Sequence, residues 1–472
     1  MMHKPNWGVI GLGVMGTSLS RNFAQKGVSL ALFNRRLEGK EEKIAEKHCN
    51  KYPELKGALP FEDLSLFINA LQSPRKILLM LTAGAATDSV IDQLTPLLEK
   101  GDIIIEGGNS HFEDTQKRAD KLEAAGIHFL GMGVSGGEEG ALTGPSLMLG
   151  GAEKAYPLVA KELEMIAAKN EKGAPCCSYL GSGGAGHFIK MVHNGIEYAE
   201  MQLLAEVYEF VISDPNQDIN TLQNMLGEWL KTSSKSYLLE ITHALLGFSE
   251  NENPFIELIR DEASNKGTGA WATATGAKLG TANSLMAAAL HSRFTSSNKG
   301  IREQNAKTFP KQQRHQEISL EGLKKTYDLC RLINHHQGFE MIREAAQLYG
   351  WKINLSTIAL LWSEGCIIKS NLMFSLIDHF KSKSSILEME PFIDQINTDI
   401  VAWEQLLEKG IKLRIPLNCI SAAWQYFMSI TQKQSSANLI QAQRDYFGAH
   451  GFLRTDSNDK TLQHGPWARK KN

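Results

Sequence analysis

The opening of the chain leaves few folds open to it. Trp7-Gly8-Val9-Ile10 reads as a short buried strand, and Gly11-Leu12-Gly13-Val14-Met15-Gly16 follows it. A helix-like stretch then runs to Lys26, and residues 28–33 form a second apolar run. Spaced glycines alone are common. Glycines that close a strand, open a helix and precede another strand mark a βαβ nucleotide-binding unit. They permit a tight turn and close backbone approach, and the helix N-terminus offers unpaired N–H groups to a pyrophosphate. A glycine-rich turn without a ligand is the plainer alternative.

The end of the second strand reads Asn34-Arg35-Arg36. NAD-binding domains place Asp or Glu there to accept from the ribose hydroxyls. Without that carboxylate nothing repels a 2′-phosphate, and two arginines bind one through paired, charge-assisted hydrogen bonds. The residues therefore favour NADP over NAD, against the alternative of a solvated arginine pair.

The α/β alternation continues. Strand-like runs at 76–81, 102–106 and 127–130 end in Thr82-Ala83-Gly84, Gly107-Gly108-Asn109-Ser110 and Gly131-Met132-Gly133-Val134-Ser135-Gly136-Gly137. Ligands of open α/β sheets lie beyond the carboxyl ends of the strands, so Asn109 and Ser135-Gly136-Gly137 are expected to face the reactive end of the cofactor. Each of these, taken alone, is as well read as a turn.

From about residue 184 the strand-like runs largely stop and helical apolar spacing dominates, as in 201–212, 328–349 and 393–407. The first of these helices begins in Gly181-Ser182-Gly183-Gly184-Ala185-Gly186. On it Lys190, His193, Asn194, Glu197 and Tyr198 share a face, with Ile189, Val192, Ile196 and Leu203 opposite. An ordinary amphipathic helix with a wet face would look the same. The polar stripe, however, turns apolar at Met201 and Leu204, which suits a strip at the floor of a pocket. Lys190 and Glu197 stand roughly 10 Å apart along the axis, at about 1.5 Å per residue, with room between them for a small substrate.

Two further stretches look chemical. Lys266-Gly267-Thr268-Gly269 has amides, a hydroxyl and an ammonium suited to a phosphate; Arg293 is a candidate second anion ligand, with an ordinary exposed arginine the default alternative. The segment 437–450 is rich in anion-recognising side chains, and a polar tail follows from Thr455. Such a tail is either frayed or docked, for instance on a second subunit.

Composition excludes other classes. With 50 Lys plus Arg against 52 Asp plus Glu, net charge −2, neither nucleic acid nor an anionic membrane is the default partner. The six cysteines make no zinc or Cys-x-x-Cys spacing, which suits a reducing cytoplasm. The N-terminus carries no apolar signal region and no run of about 18 apolar residues occurs, so a soluble, unexported protein is expected. The 472 residues provide for two or three domains. The expected division is a Rossmann-type dinucleotide-binding domain (1–183), a large all-α substrate and dimerisation domain (184–437) and an extended C-terminal tail (438–472).

Taken together these residues resemble the 6-phosphogluconate dehydrogenase family, the decarboxylating enzymes of the pentose phosphate pathway. The likeness runs through 11–16, 102–110, 133–140, 144–148, 184–198, 266–269 and 441–450. The runs 186–198 and 443–450 come close to a signature. The resemblance implies oxidation of C3 of 6-phosphogluconate with hydride transfer to NADP, loss of CO₂, and protonation of the enediol to ribulose 5-phosphate. It implies Lys190 as general base at the 3-hydroxyl and Glu197 as the acid that protonates C1. Asn109, Ser135, Gly136, Gly137, His193 and Asn194 match substrate-contacting positions. Tyr198, Lys266, Thr268 and Arg293 match further substrate ligands, chiefly of its phosphate. Arg444 and His450 match tail residues that enter the partner's active site, so a homodimer is implied, and no metal. Cofactor contacts are expected from Gly11, Leu12, Gly13, Val14, Met15, Gly16, Asn34, Arg35, Arg36, Leu81, Thr82, Ala83 and Asn109.

The chain departs from the family pattern in places. Thr82 stands where Lys or Gln is common, Arg36 replaces Thr or Ser, and Ser264-Asn265 and Ala270 flank the Lys-Gly-Thr-Gly loop. The tail after Gly451 is unlike better-known members, although His464 and Trp467 keep a His-x-x-Trp spacing. The residues alone also leave open another β-hydroxyacid dehydrogenase, or a non-catalytic protein on the same scaffold.

Overall fold

A computed structural model describes residues 4–264, 267–310 and 319–467. The N-terminal part is an eight-stranded sheet: β1 Trp7–Ile10, β2 Leu30–Phe33, β3 Leu59–Phe61, β4 Lys76–Leu79, β5 Ile103–Glu106, β6 His128–Ser135, β7 Ser146–Gly151 and β8 Cys177–Tyr179. Their order is β3-β2-β1-β4-β5-β6-β7-β8. Every pairing is parallel except β6 with β7. The chain reverses its direction of travel across the sheet between β1 and β4, and open sheets of this kind bind ligands outside the strand ends at that switch point. The inner strands β1, β2, β4 and β5 are buried along their whole length, as covered parallel strands require.

The helical part follows the sheet as expected. A 28-residue central helix, Ala185–Ile212, packs on β6 and β7 at its beginning and against Leu320–Tyr349 along its length. Small residues permit the close seat on the sheet. A Cβ on Gly186 would lie 2.3 Å from the Met148 carbonyl oxygen, and one on Gly133 would lie 2.5 Å from Lys190 Cβ. The helix is buried nearly all round, so its polar face is not a wet flank: Lys190, His193 and Asn194 are 8%, 0% and 9% exposed.

The described chain forms two compact units, Met1–Ala423 and Trp424–Asn472. Sheet and helices share the first, joined through the central helix. The second is built on Ala437–Gly448 and a return segment. No described helix is long and apolar enough to cross a membrane.

Candidate active site

The glycine turn after β1 has the form a dinucleotide needs. Gly11 has φ +92°, and a Cβ there would lie 2.5 Å from the Met80 carbonyl oxygen and 2.9 Å from Leu81. Gly16 backs onto the Gly11 carbonyl so closely that any side chain would clash. Gly13 faces open space, and the helix Val14–Gln25 starts there with no acidic residue in its first turn. Leu12 N–H donates to Asn34 Oδ1 (3.2 Å), tying the turn to the end of β2. Unpaired helix N–H groups beside an open glycine fit a pyrophosphate. Val14 is exposed and Met15 half-buried at this edge, and Leu81, Thr82 and Ala83 extend β4 beside it.

Arg35 and Arg36 are largely exposed. Arg35 Nε lies 3.4 Å from Glu41, and Arg36 Nη2 lies 3.7 Å from Glu42. Exposed pairs of this kind contribute little, so both guanidinium groups exchange partners readily.

The central helix brings the chemical groups together. His193 Nδ1 lies 3.3 Å from Lys190 Nζ, 3.1 Å from Asn194 Oδ1 and 3.7 Å from Glu197 Oε2. Its Nε2 lies 3.0 Å from Ser135 Oγ at the end of β6. A proton on Nδ1, donated to Asn194 Oδ1, would leave Nε2 to accept from the serine hydroxyl. Lys190 and Glu197 thus converge on one imidazole nitrogen, closer than their axial spacing implies. Burial lowers the Lys190 ammonium below its usual range, against the opposing pull of the Glu197 carboxylate. Burial and the Lys190 charge push His193 well below its ordinary value. The result is a buried amine held toward its neutral form beside a neutral imidazole, with a carboxyl one turn on that keeps partial access to solvent.

The other expected residues surround this set. Gly136 and Gly137 have positive φ, and Gly137 opens to free space. Asn109 is exposed just beyond β5. Tyr198 carries the Arg293 guanidinium 3.6 Å over its ring, and Arg293 Nη1 also donates to the Ser264 carbonyl oxygen (3.1 Å). Thr268 is buried in the first turn of Thr268–Leu279, and Gly269 packs so tightly on the Tyr198 ring that a Cβ would meet it at 2.5 Å. Arg293, Tyr198 and the start of that helix therefore stand together in one corner. Lys266 lies outside the described residues. Arg444 and His450 belong to the second unit, where both are exposed and Arg444 Nη1 donates to Gln441 Oε1 (3.2 Å).

Sequence reasoning missed a buried support beneath the helix. Glu106, at the end of β5, lies 3.4 Å from Arg118 Nη1 and 3.7 Å from His187 Nδ1, and accepts from Ser110 Oγ at 2.9 Å. His187 also bonds Thr115 Oγ1 (2.7 Å). Its one visible sign was a carboxylate closing the otherwise apolar run Ile103-Ile104-Ile105.

Comparison with known proteins covers both parts of the chain. A family model described as the NAD binding domain of 6-phosphogluconate dehydrogenase matches residues 6–181. Another, 6-phosphogluconate dehydrogenase, C-terminal domain, matches residues 186–467. The chain is 40% identical over 474 residues to the decarboxylating 6-phosphogluconate dehydrogenase of Salmonella typhimurium, across 99% of this chain and 100% of that one. The Escherichia coli K12 enzyme of the same name matches at the same identity and coverage. Among solved structures, Plasmodium falciparum 6-phosphogluconate dehydrogenase superposes with a TM-score of 0.93 at 33% identity, covering 98% of this chain and 100% of that one. That enzyme is described in its apo form, with its cofactor NADP+ and with its substrate 6-phosphogluconate.

Proposed function

This chain belongs to the 6-phosphogluconate dehydrogenase family, and on that premise we propose how its residues carry the reaction. It is an NADP-dependent oxidoreductase that converts 6-phosphogluconate to ribulose 5-phosphate and CO₂. The observation that carries the residue assignments is the convergence of Lys190 and Glu197 on the buried His193 Nδ1.

In the proposed mechanism the glycine turn 11–16 holds the cofactor, with Asn34, Arg35 and Arg36 at its 2′-phosphate and residues 81–83 and Asn109 along its length. Bound there, NADP supplies the acceptor for the C3 hydride. Lys190, whose ammonium burial shifts toward the neutral amine, takes the proton of the 3-hydroxyl. As an ammonium it then stabilises the negative charge growing on the C3 oxygen during loss of CO₂. Glu197 delivers a proton to C1. Ser135, Gly136, Gly137, His193 and Asn194 orient the reacting end of the substrate. Tyr198, Lys266, Thr268 and Arg293 hold the phosphate end and supply binding energy away from the reacting carbons.

Arg444 and His450 complete the site of a second copy in a homodimer with exchanged tails. The support for this is that the anion-recognising residues stand in a separate compact unit with exposed apolar neighbours, among them Tyr446 and Phe447. A cytoplasmic location and the division at 183/184 and 437/438 belong to the same proposal.

The test is turnover with 6-phosphogluconate, following reduced cofactor and CO₂ together. One CO₂ per reduced cofactor is expected. Reaction with unphosphorylated hydroxy acids alone would overturn the assignment.

A further inference from the structure

We propose that Asp445 is a positioning residue: its carboxylate clasps the C-terminal unit into a closed cap that fixes Arg444 and His450 relative to each other. This rests on the reading that these two residues serve an active site.

Asp445 lies on Ala437–Gly448 and is 3% exposed, while its neighbours Tyr446 and Phe447 are 63% and 68% exposed. Its oxygens accept four hydrogen bonds. Oδ1 takes Gly451 N–H (3.0 Å) and His464 Nδ1 (2.6 Å), and Oδ2 takes Gly465 N–H (2.9 Å) and Trp467 Nε1 (2.7 Å). A carboxylate offers about four acceptor sites, so this one is saturated. These donors hold its pKa well below the usual carboxylate range. The donors come from both ends of the segment that follows the helix, and Phe452 and Gln463 close it by exchanging backbone bonds of 2.9 Å. The His-x-x-Trp spacing, which no step of the mechanism uses, acquires a purpose here: both side chains are donors to one carboxylate.

The clasp reaches the two anion-binding residues by separate routes. Gly451 is pinned on both sides, its N–H by Asp445 and its carbonyl by Gln441 Nε2 (2.6 Å). Its φ is +72°, and a Cβ there would lie 2.9 Å from Leu462 Cβ. The residue before it, His450, is therefore held at a fixed point. Gln441 Oε1 accepts from Arg444 Nη1, which ties the guanidinium to the same frame. Anion ligands on a loose tail must be ordered when substrate binds, at a free-energy cost for each side chain immobilised. A closed cap has them ordered beforehand.

Asp445→Asn replaces one acceptor oxygen with an NH₂ that confronts N–H donors. The expected result is a KM for 6-phosphogluconate raised about tenfold, with kcat within about threefold, NADP affinity unchanged and the molar mass by light scattering unchanged. A merely structural role would move stability or molar mass and leave this split absent. A KM within twofold of wild type, alongside a raised KM in Arg444→Ala, overturns the clasp. A wild-type KM in Arg444→Ala overturns instead the reading on which it rests. Should Asp445→Asn fail to fold, Trp467→Phe removes one donor and keeps the ring. It is expected to raise KM about threefold at wild-type melting temperature, and an unchanged KM refutes the proposal.

Discussion

Glu206 makes the stability of this protein fall as pH rises, and Glu206→Gln should remove that dependence. The side chain is 1% exposed on the central helix, two and a half turns beyond Glu197. Oε1 accepts from Cys419 N–H (2.8 Å) and Gln202 Nε2 (3.1 Å), and Oε2 from Ile420 N–H (3.0 Å). These bonds favour the anion, but burial outweighs them and raises the pKa from 4.5 to about 7. The folded value lies above the unfolded one, so the native state holds a proton that the unfolded chain releases. The stabilisation is full below about 4.5 and is lost as pH climbs through about 7. At about 1.4 kcal/mol per pH unit the cost above pH 8 comes to about 3 kcal/mol. With unfolding entropy of about 2.1 cal/mol/K per residue, that corresponds to about 3–4 °C in the melting temperature of the 423-residue unit. His335 and His336, held near about 4 by burial, pull the other way at acid pH but are common to both proteins. Calorimetric melting of wild type and Glu206→Gln from pH 5 to 8.5 should therefore show the variant gaining about 3–4 °C on wild type across the range. Parallel curves, or a gap that closes with rising pH, would refute the reasoning.

Four further outcomes follow from the site. Lys190→Met should lower oxidation by a factor on the order of 10³ while NADP binding, followed by fluorescence titration, stays within twofold. Wild-type kcat/KM should rise with pH through the Lys190 pKa, which burial places below 10.5, and retained turnover in the variant would remove the base assignment. Glu197→Gln should release CO₂ and reduce cofactor in the first turnover yet form ribulose 5-phosphate about 10²-fold more slowly, as read by quenched-flow product analysis; an unaffected rate contradicts its role as acid. Arg35→Ala with Arg36→Ala should weaken NADP by about tenfold to a hundredfold and leave NAD within twofold, and equal losses would mean the pair does not read the 2′-phosphate.

What could be read from the sequence was what adjacent residues decide. The glycine turn and the strands β1, β2, β4, β5 and β6 announce themselves through apolar runs ended by small residues. β3 does not, because Pro60 sits in it, which only an edge strand tolerates. β8 has three residues, too few for a pattern, and β7 runs antiparallel directly after Gly144-Pro145, where a turn motif masks it. Spacing along one helix likewise aligned Lys190, His193, Asn194, Glu197 and Tyr198. It did not show that His193 Nδ1 stands between base and acid, since that depends on rotamers. Nor did it reveal Glu106 with Arg118 and His187, which meet only across the fold.

The burial of the central helix was hidden for a related reason, and it is what the chemistry depends on. A glycine in a strand looks like a weakness in that strand. In β6 and β7 the glycines instead form a trough: Gly133 and Gly150 leave spaces that the central helix fills, and Gly131 one shared by Thr115 and His187. Lys190 Cβ rests where a side chain of Gly133 would stand. The approach that seats the helix also removes water from around the ammonium, and desolvation is the first cause of its lowered pKa. Packing and acid–base chemistry here have one origin. A side chain at 133 would push the helix off the sheet and let solvent reach the lysine, weakening the bias toward the neutral amine that takes a proton.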